Sequence, residues 1–120
     1  MVSSDINRKI AVILAADVVG YSKSMERDET QTVKNLRECK ILLDVLLKTH
    51  NGRIFNTAGD SVLAEFNSAV SAVECATEFQ KQLEKRNEFT KNNNVMEFRV
   101  GINMGDVVIE GEDLYGDGVN

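Results

Sequence analysis

Residues 10–20 read IAVILAADVVG, and this stretch decides the fold. An almost unbroken run of β-branched and aliphatic residues suits a strand buried on both faces, because a half-exposed strand alternates apolar with polar positions. The run is too short for a membrane. Its longest uninterrupted apolar part is Ile10 to Ala16, whereas a spanning helix needs about 20 residues. One charge, Asp17, interrupts the run and Gly20 ends it. A carboxylate at the end of a buried strand is costly unless it is hydrogen-bonded or neutralised, so Asp17 is the first candidate functional residue.

Upstream, MVSSDINRK has neither a long apolar region nor a small-residue cleavage site, so no secretory signal is expected and the chain reads as cytoplasmic. Downstream, Val33, Leu36, Cys39, Leu43, Leu46 and Leu47 follow helical spacing from Asp28 to Thr49. Asp28 and Gln31 stand at capping-box distance, and Gly52 lies just beyond the end. RIFN, TAGD and SVLAEF read as two short strands joined at Gly59. Asn67 or Ser68 can cap a second helix with Ala69, Ala72, Val73, Ala76, Phe79 and Leu83 on its apolar face. The polar KRNEFTKNNN then makes a surface connection. EFRVGINMGDVVIEGED predicts two further strands around a Gly105-Asp106 turn.

The resulting order, β-α-β-β-α-β-β, resembles the split βαβ arrangement of ferredoxin-like folds. This is an α+β sandwich in which a mainly antiparallel sheet carries its helices on one face. A right-handed helical crossover makes the first strand and RIFN run the same way. Asp17, closing the first strand, and Asp60, at the hairpin turn, are therefore expected at one rim of the sheet. The last strand pair is expected to return Asp113, Tyr115 and Asn120 to that rim.

A chain of 120 residues, 42% hydrophobic and 28% charged, is enough for a single domain with its own core and too ordinary in composition for disorder. Fourteen Lys and Arg against nineteen Asp and Glu leave a formal charge of −5. That sign argues against a nucleic-acid partner, and a phosphorylated ligand would need a metal as intermediary. The two cysteines, Cys39 and Cys75, and the lone His50 form no zinc-ligand or triad spacing. Cys39 and Cys75 fit buried reduced thiols, and His50 fits a helix end.

Two carboxylates at one rim repel each other, and a divalent cation between them relieves both repulsion and desolvation. Oxygen donors without nearby His or Cys favour magnesium or manganese. Backbone amides from Val18 to Ser22, turned by Gly20, have the makings of a phosphate cradle. The alternative is structural: Asp17 ends a strand and Asp60 makes an Asx-turn. From spacing alone the two readings stand level.

The strings ILAADVVGYS, NTAGDSVLAEF, FRVGINMGDVVIEG and DLYGDGVN, in this order, resemble the class III adenylate and guanylate cyclase catalytic domain, especially its bacterial members. The resemblance implies a single cyclase domain over residues 1–120 that lacks its C-terminal part. It implies that Asp17 and Asp60 bind two Mg2+ or Mn2+ ions, with the Val18 carbonyl also touching metal, and that Val19, Gly20, Tyr21 and Ser22 face phosphate. It implies a head-to-tail homodimer, each site taking metal ligands from one chain and purine contacts from the other. Asp113 matches the residue that accepts from the adenine amino group, and Asn120 the catalytic asparagine that orients the ribose. The reaction implied is attack of the 3′-hydroxyl of a nucleoside triphosphate on its own α-phosphate, releasing pyrophosphate, with no membrane insertion by this domain.

The sequence departs from the family pattern at three places. Asn56, three residues before Gly59, stands where adenylate cyclases carry a purine-selecting lysine and guanylate cyclases a glutamate. Base choice then rests on Asp113, which favours ATP over GTP. Asp106 follows Gly105 where some relatives place a basic residue near the triphosphate. The family's transition-state arginine lies a few residues beyond Asn120. The expected function is a nucleotide cyclase in signal transduction. The alternative is a catalytically inactive cyclase-homology module that dimerises or binds nucleotide and regulates attached domains.

Overall fold

The computed structural model describes residues 7–91, 94–116 and 119. The order is β1 (Asn7–Val18), α1 (Tyr21–Arg27), α2 (Glu29–Thr49), β2 (Arg53–Ala58), β3 (Ser61–Phe66), α3 (Ala69–Glu88), β4 (Phe98–Glu110) and β5 (Asp113–Tyr115). The strands form one sheet in the order β2-β3-β1-β4-β5, with every neighbouring pair antiparallel. Two antiparallel steps make β1 and β2 point the same way, as the crossover argument expects. The α+β architecture expected from the sequence is the one observed, with α1 added.

The β1 run is central because both of its faces are occupied. Val12, Leu14, Ala16 and Val18 pack against Leu36, Cys39, Leu43 and Leu47 of α2 and Ala72, Cys75, Phe79 and Leu83 of α3. Alternation sends Ala11 and Ile13 to the other face, where they meet Val107 and Leu114, with Phe55 and Ile109 at the margin. Among the described residues no helix covers this second core. Curling of the sheet closes it instead, and Arg53 at the β2 edge donates from Nη1 to the Glu112 carbonyl at 2.9 Å. Arg53 also joins Lys9 in pairing with Glu65. Burial would raise the Glu65 pKa, but hydrogen bonds from Lys9 and Arg53 outweigh it and hold the carboxyl below its ordinary value.

Both helices start as their caps dictate. The Asp28 side chain accepts from the Gln31 amide, and the Ser68 hydroxyl accepts from the Ser71 amide. Each Cys faces the core, and burial raises both thiols, Cys75 to about 11. Both therefore stay protonated and unreactive at neutral pH. His50 caps α2, its Nδ1–H donating to the Leu46 carbonyl at 2.8 Å.

Four local expectations are corrected. Gly105-Asp106 is not a turn: β4 runs straight through it, because β1 is long enough to pair Ala11 with Gly105 and Ile10 with Asp106. The reversal comes at Gly111-Glu112. Val73 points outward and Cys75 takes the inward position on α3. Residues 21–27, where no helix was expected, form α1; it buries no residue fully and so shows no apolar period.

The fourth concerns Gly52, which does not supply the left-handed residue after α2; Asn51 does, at φ 62°. Gly52 is needed for space, since a Cβ there would lie 2.7 Å from Cζ of buried Phe66. Gly52→Ala should therefore lower stability by about 1–3 kcal/mol through overpacking, read as a fall in the urea midpoint. An unchanged midpoint would mean that the Phe66 ring gives way freely.

Candidate functional site

The residues at the C-terminal end of β1 are fixed by three separate connections. On one side, β4 begins beside Val18, and Asp17 lies opposite Arg99. The ladder continues one step further, with the Val19 amide donating to the Glu97 carbonyl at 2.9 Å. That carbonyl is itself steadied, because Asn87 on α3 bonds both the amide and the carbonyl of neighbouring Met96. On the other side, the β2–β3 turn presents Asp60, whose Oδ2 accepts the Val18 amide at 2.8 Å.

That last bond is not the local one that an Asx-turn would make. A local Asx-turn would aim the carboxylate at its own hairpin, but its partner among the described residues is on β1, 42 positions away in sequence. Gly20 then turns the chain with φ 66° and ψ 32° and caps α1, where no side chain caps the first amides. A substituted residue at Gly20 would carry left-handed strain.

These connections enclose a cleft of about 490 Å³. Asp17, Val18, Gly20, Tyr21, Ser22 and Asp60 line it, and so do Ser61, Lys23 and Arg99. Asp17 and Asp60 thus open onto one volume, as the crossover argument expects. Arg99 donates from Nε to Asp17 Oδ1 at 2.9 Å. Neither Arg99 nor Lys23 was singled out by sequence reasoning. Nothing local marks Arg99, whose pairing with Asp17 spans 82 positions and exists only once β4 lies against β1. The Tyr21 ring leans on the helix-side core.

The other expected residues are elsewhere. Asp113 and Tyr115 do not reach this rim. Asp113 pairs with Glu110 at the end of β4, whereas Asp17 faces Arg99 at its start, so the 13-residue strand separates them. The reason is the missing turn: without a reversal at Gly105-Asp106, β4 carries the chain away from the rim and β5 starts at the far end. Asp113 Oδ1 accepts the Leu114 amide, and Asp113 with Glu110 raises the pKa of the exposed Tyr115. Asn56 is exposed on β2, beside a β-bulge between Ile54 and Asn56, and does not line the cleft. Val19 is half-exposed beside it. Asn120 lies outside the described residues.

The donor set of the cleft is chemically uniform. Two carboxylates and adjacent backbone oxygens suit a hard cation such as magnesium or manganese. Among the described residues no group of three or more His, Cys, Asp or Glu side chains converges. A cation here would therefore keep water or ligand oxygens in several positions, which is the habit of magnesium beside phosphates. A second depression, about 440 Å³ between α2 and β2, is lined chiefly by apolar side chains such as Val33, Ile41 and Ile54 and offers no paired carboxylates. No helix among the described residues is long and apolar enough to cross a membrane.

Comparison with known proteins agrees with this fold. A model of the adenylate and guanylate cyclase catalytic domain matches residues 4–120. A Rhizobium meliloti (strain 1021) protein named "Putative adenylate cyclase 3" is 47% identical over 121 residues; the match covers all of this chain and 21% of that protein. The chain thus spans about one fifth of that curated relative's length. The crystal structure of an adenylate/guanylate cyclase/hydrolase from Silicibacter pomeroyi superposes with a TM-score of 0.87 at 40% identity, covering 96% of this chain and 67% of that one. The guanylyl cyclase Cya2 gives 0.82 at 26% identity, with 96% and 68% covered. A match over nearly the whole length, together with the fold, establishes that the chain belongs to the adenylate and guanylate cyclase catalytic domain family.

Proposed function

We propose that this chain is the catalytic unit of a nucleotide cyclase, converting a nucleoside triphosphate, ATP in preference to GTP, to its 3′,5′-cyclic nucleotide and pyrophosphate. The observation that carries the proposal is the cleft in which Asp17 and Asp60 face one volume beside the turn at Gly20. In this reading Asp17, Asp60 and the Val18 carbonyl hold two Mg2+ or Mn2+ ions. When bound, such ions promote ionisation of the attacking hydroxyl and neutralise charge on the leaving group. The chain's own part is positioning. The Val18 amide orients Asp60, and the backbone from Val19 to Ser22 offers amides to phosphate oxygens. Asp113 accepts the adenine amino group, Asn56 contributes a neutral donor and acceptor to base selection, and Asn120 orients the ribose.

The separation of Asp113 from the Asp17–Asp60 cleft supports a site shared between two chains. One protomer supplies the acidic cleft and its partner supplies Asp113, so two copies paired head to tail make two sites. Co-expression tests this. Asp17→Asn and Asp113→Ala variants of the natural polypeptide should each be inactive alone. Mixed, they should recover up to about one quarter of the wild-type signal, since half of randomly paired dimers are mixed and each rebuilds one site. Complementation that fails while the mixed dimers form would exclude the shared site. The relatives' names include both adenylate and guanylyl cyclases, so ATP and GTP are assayed side by side. Production of cyclic GMP alone would overturn the preference for ATP.

Asn56 favours a second reading, an inactive cyclase-homology module that regulates attached domains. Manganese-dependent nucleotide binding without cyclic product would select it.

A further inference from the structure

α2 carries two buried polar residues one turn apart, Thr32 and Asn35, each 5% exposed. Burying a polar side chain is costly unless it is hydrogen-bonded, so the partners of these two are informative. Thr32 Oγ1 donates to the Ser24 carbonyl of α1 at 2.9 Å. Asn35 Oδ1 accepts from Arg86 Nη2 on α3 at 3.0 Å. Arg86 Nη1 donates in turn to Asn87 Oδ1 at 3.0 Å and to the Asn94 carbonyl at 3.3 Å. Both routes end on the segment that borders the cleft. The first holds α1 directly, and the second reaches the entrance to α1 through Asn87.

The second route exists because the chain entering β4 has a bare outer edge. β5 covers that edge only at Val108–Glu110, so among the described residues no strand lies beside Phe98. In an extended chain successive carbonyls point to opposite sides. The Glu97 carbonyl faces β1 and accepts the Val19 amide at 2.9 Å, which leaves the carbonyls of Met96 and Phe98 on the outer side. Two side chains of α3, two helical turns apart, satisfy them. Gln80 Nε2 donates to the Phe98 carbonyl at 3.0 Å. Asn87 Nδ2 donates to the Met96 carbonyl at 3.0 Å, and Asn87 Oδ1 accepts the Met96 amide at 3.3 Å. The Glu97 carbonyl is thus gripped on both flanks. Asn87 is the stronger grip: Gln80 is exposed and makes one bond, whereas Asn87 is half-buried, makes two to a single residue, and has its carboxamide oriented by Arg86.

We propose that Asn87 is a positioning residue for the proposed cyclisation: by fixing Met96 it sets the Glu97 carbonyl, and through the Val19 amide it holds the Gly20 turn in place against Asp17 and Asp60. The inference rests on the reading of that cleft as the cyclase site. It adds that the turn does not hold itself. α1 has seven residues and buries none of them fully, so its placement is imposed from α2 and α3.

The experiment uses the natural polypeptide and its Asn87→Ala, Asn87→Asp and Gly52→Ala variants. Gly52→Ala is the control, because it loses stability at the opposite end of β2 from Asp60. Hydrogen exchange is followed by mass spectrometry on a peptide spanning residues 16–24, and kcat and KM are measured with Mn2+ and nucleoside triphosphate. Asn87→Ala should exchange about five- to tenfold faster in that peptide, since the bonds that steady the Val19 partner are gone. Its kcat should fall about tenfold while KM stays within about twofold, because the metal-binding carboxylates remain and only alignment is lost. Asn87→Asp should fall between wild type and Asn87→Ala, since it keeps the acceptor for the Met96 amide and loses the donor to the Met96 carbonyl. Gly52→Ala should match wild type in both measurements. Unchanged exchange in Asn87→Ala overturns the inference, and so does faster exchange with unchanged kcat. An equal fall of kcat in Gly52→Ala would reduce the effect to general stability and overturn it too. If the wild-type polypeptide makes no cyclic product, the cyclase reading fails first, whatever the exchange shows, and the positioning role with it.

Discussion

Asp17→Asn is expected to lower cyclic-nucleotide formation by about a hundredfold to a thousandfold while leaving the melting temperature within a degree or two. The activity loss follows from the role proposed for the carboxylate. Cation stabilisation of transition-state charge is worth several kcal/mol, and each 1.36 kcal/mol is a factor of ten in rate. The small structural effect follows from the exposed Asp17–Arg99 pair, which contributes about 1 kcal/mol at most. Asp60→Asn should behave likewise, because an amide oxygen can keep accepting from the Val18 N–H while the negative charge is lost. Asp60→Ala removes that acceptor too, so it should lower stability further by about 1–3 kcal/mol if the Val18 amide finds no water in its place. Turnover with Mn2+ and ATP or GTP, measured beside a thermal melt, separates the effects. Wild-type turnover in either asparagine variant would remove the cleft from the chemistry.

Phe79→Ala should be the most damaging single truncation in the core, at about 3–5 kcal/mol. Phe79 is fully buried on α3, within the cluster that joins both long helices to β1. Its ring stands edge-on to Phe98 at a centroid distance of 5.3 Å, and Phe98 is the first residue of β4. Truncation leaves a cavity between helix and sheet and removes the aromatic pair. For a domain of this size the loss corresponds to a fall in melting temperature of roughly 10–25 °C. Since ordinary domains are stable by only about 5–15 kcal/mol, part of the chain would unfold at 37 °C. Phe89 serves as the control. It is 89% exposed, and Phe89→Ala should change stability by less than about 0.5 kcal/mol. Equal denaturant midpoints for the two variants would contradict this account of the core.

Much of the fold was legible because its strongest signals are local. The β1 run could only be a buried strand, and Asp28 and Ser68 mark helix starts whose side-chain bonds are those that capping predicts. The α2 positions Leu36, Cys39, Leu43 and Leu47 reach the core as their spacing requires. What failed was local inference where a distant partner had the deciding vote. Gly105-Asp106 has the composition of a turn. A turn there would strand the N-terminal part of β1 without its neighbour, and the ladder from Asn7 to Val18 wins. Val73 and Cys75 are both plausible inward residues on α3, and in the packed helix it is Cys75 that is buried with Ala72, Phe79 and Leu83.

The candidate site divides along the same line. The sequence by itself determined that one carboxylate, Asp17, ends a strand, that a second, Asp60, lies in the turn of the β2–β3 hairpin, and that a glycine follows the first. Those facts depend on strand type, strand order and crossover handedness, which hydrophobic pattern and chain connectivity already constrain. Only the tertiary structure decided that Asp60 is fixed by the Val18 amide, that Arg99 holds Asp17, and that Asp113 stands at the opposite end of β4. Each of these rests on register between segments distant in the chain. Register is selected by the summed fit of a whole strand against its neighbours, so no single residue announces it.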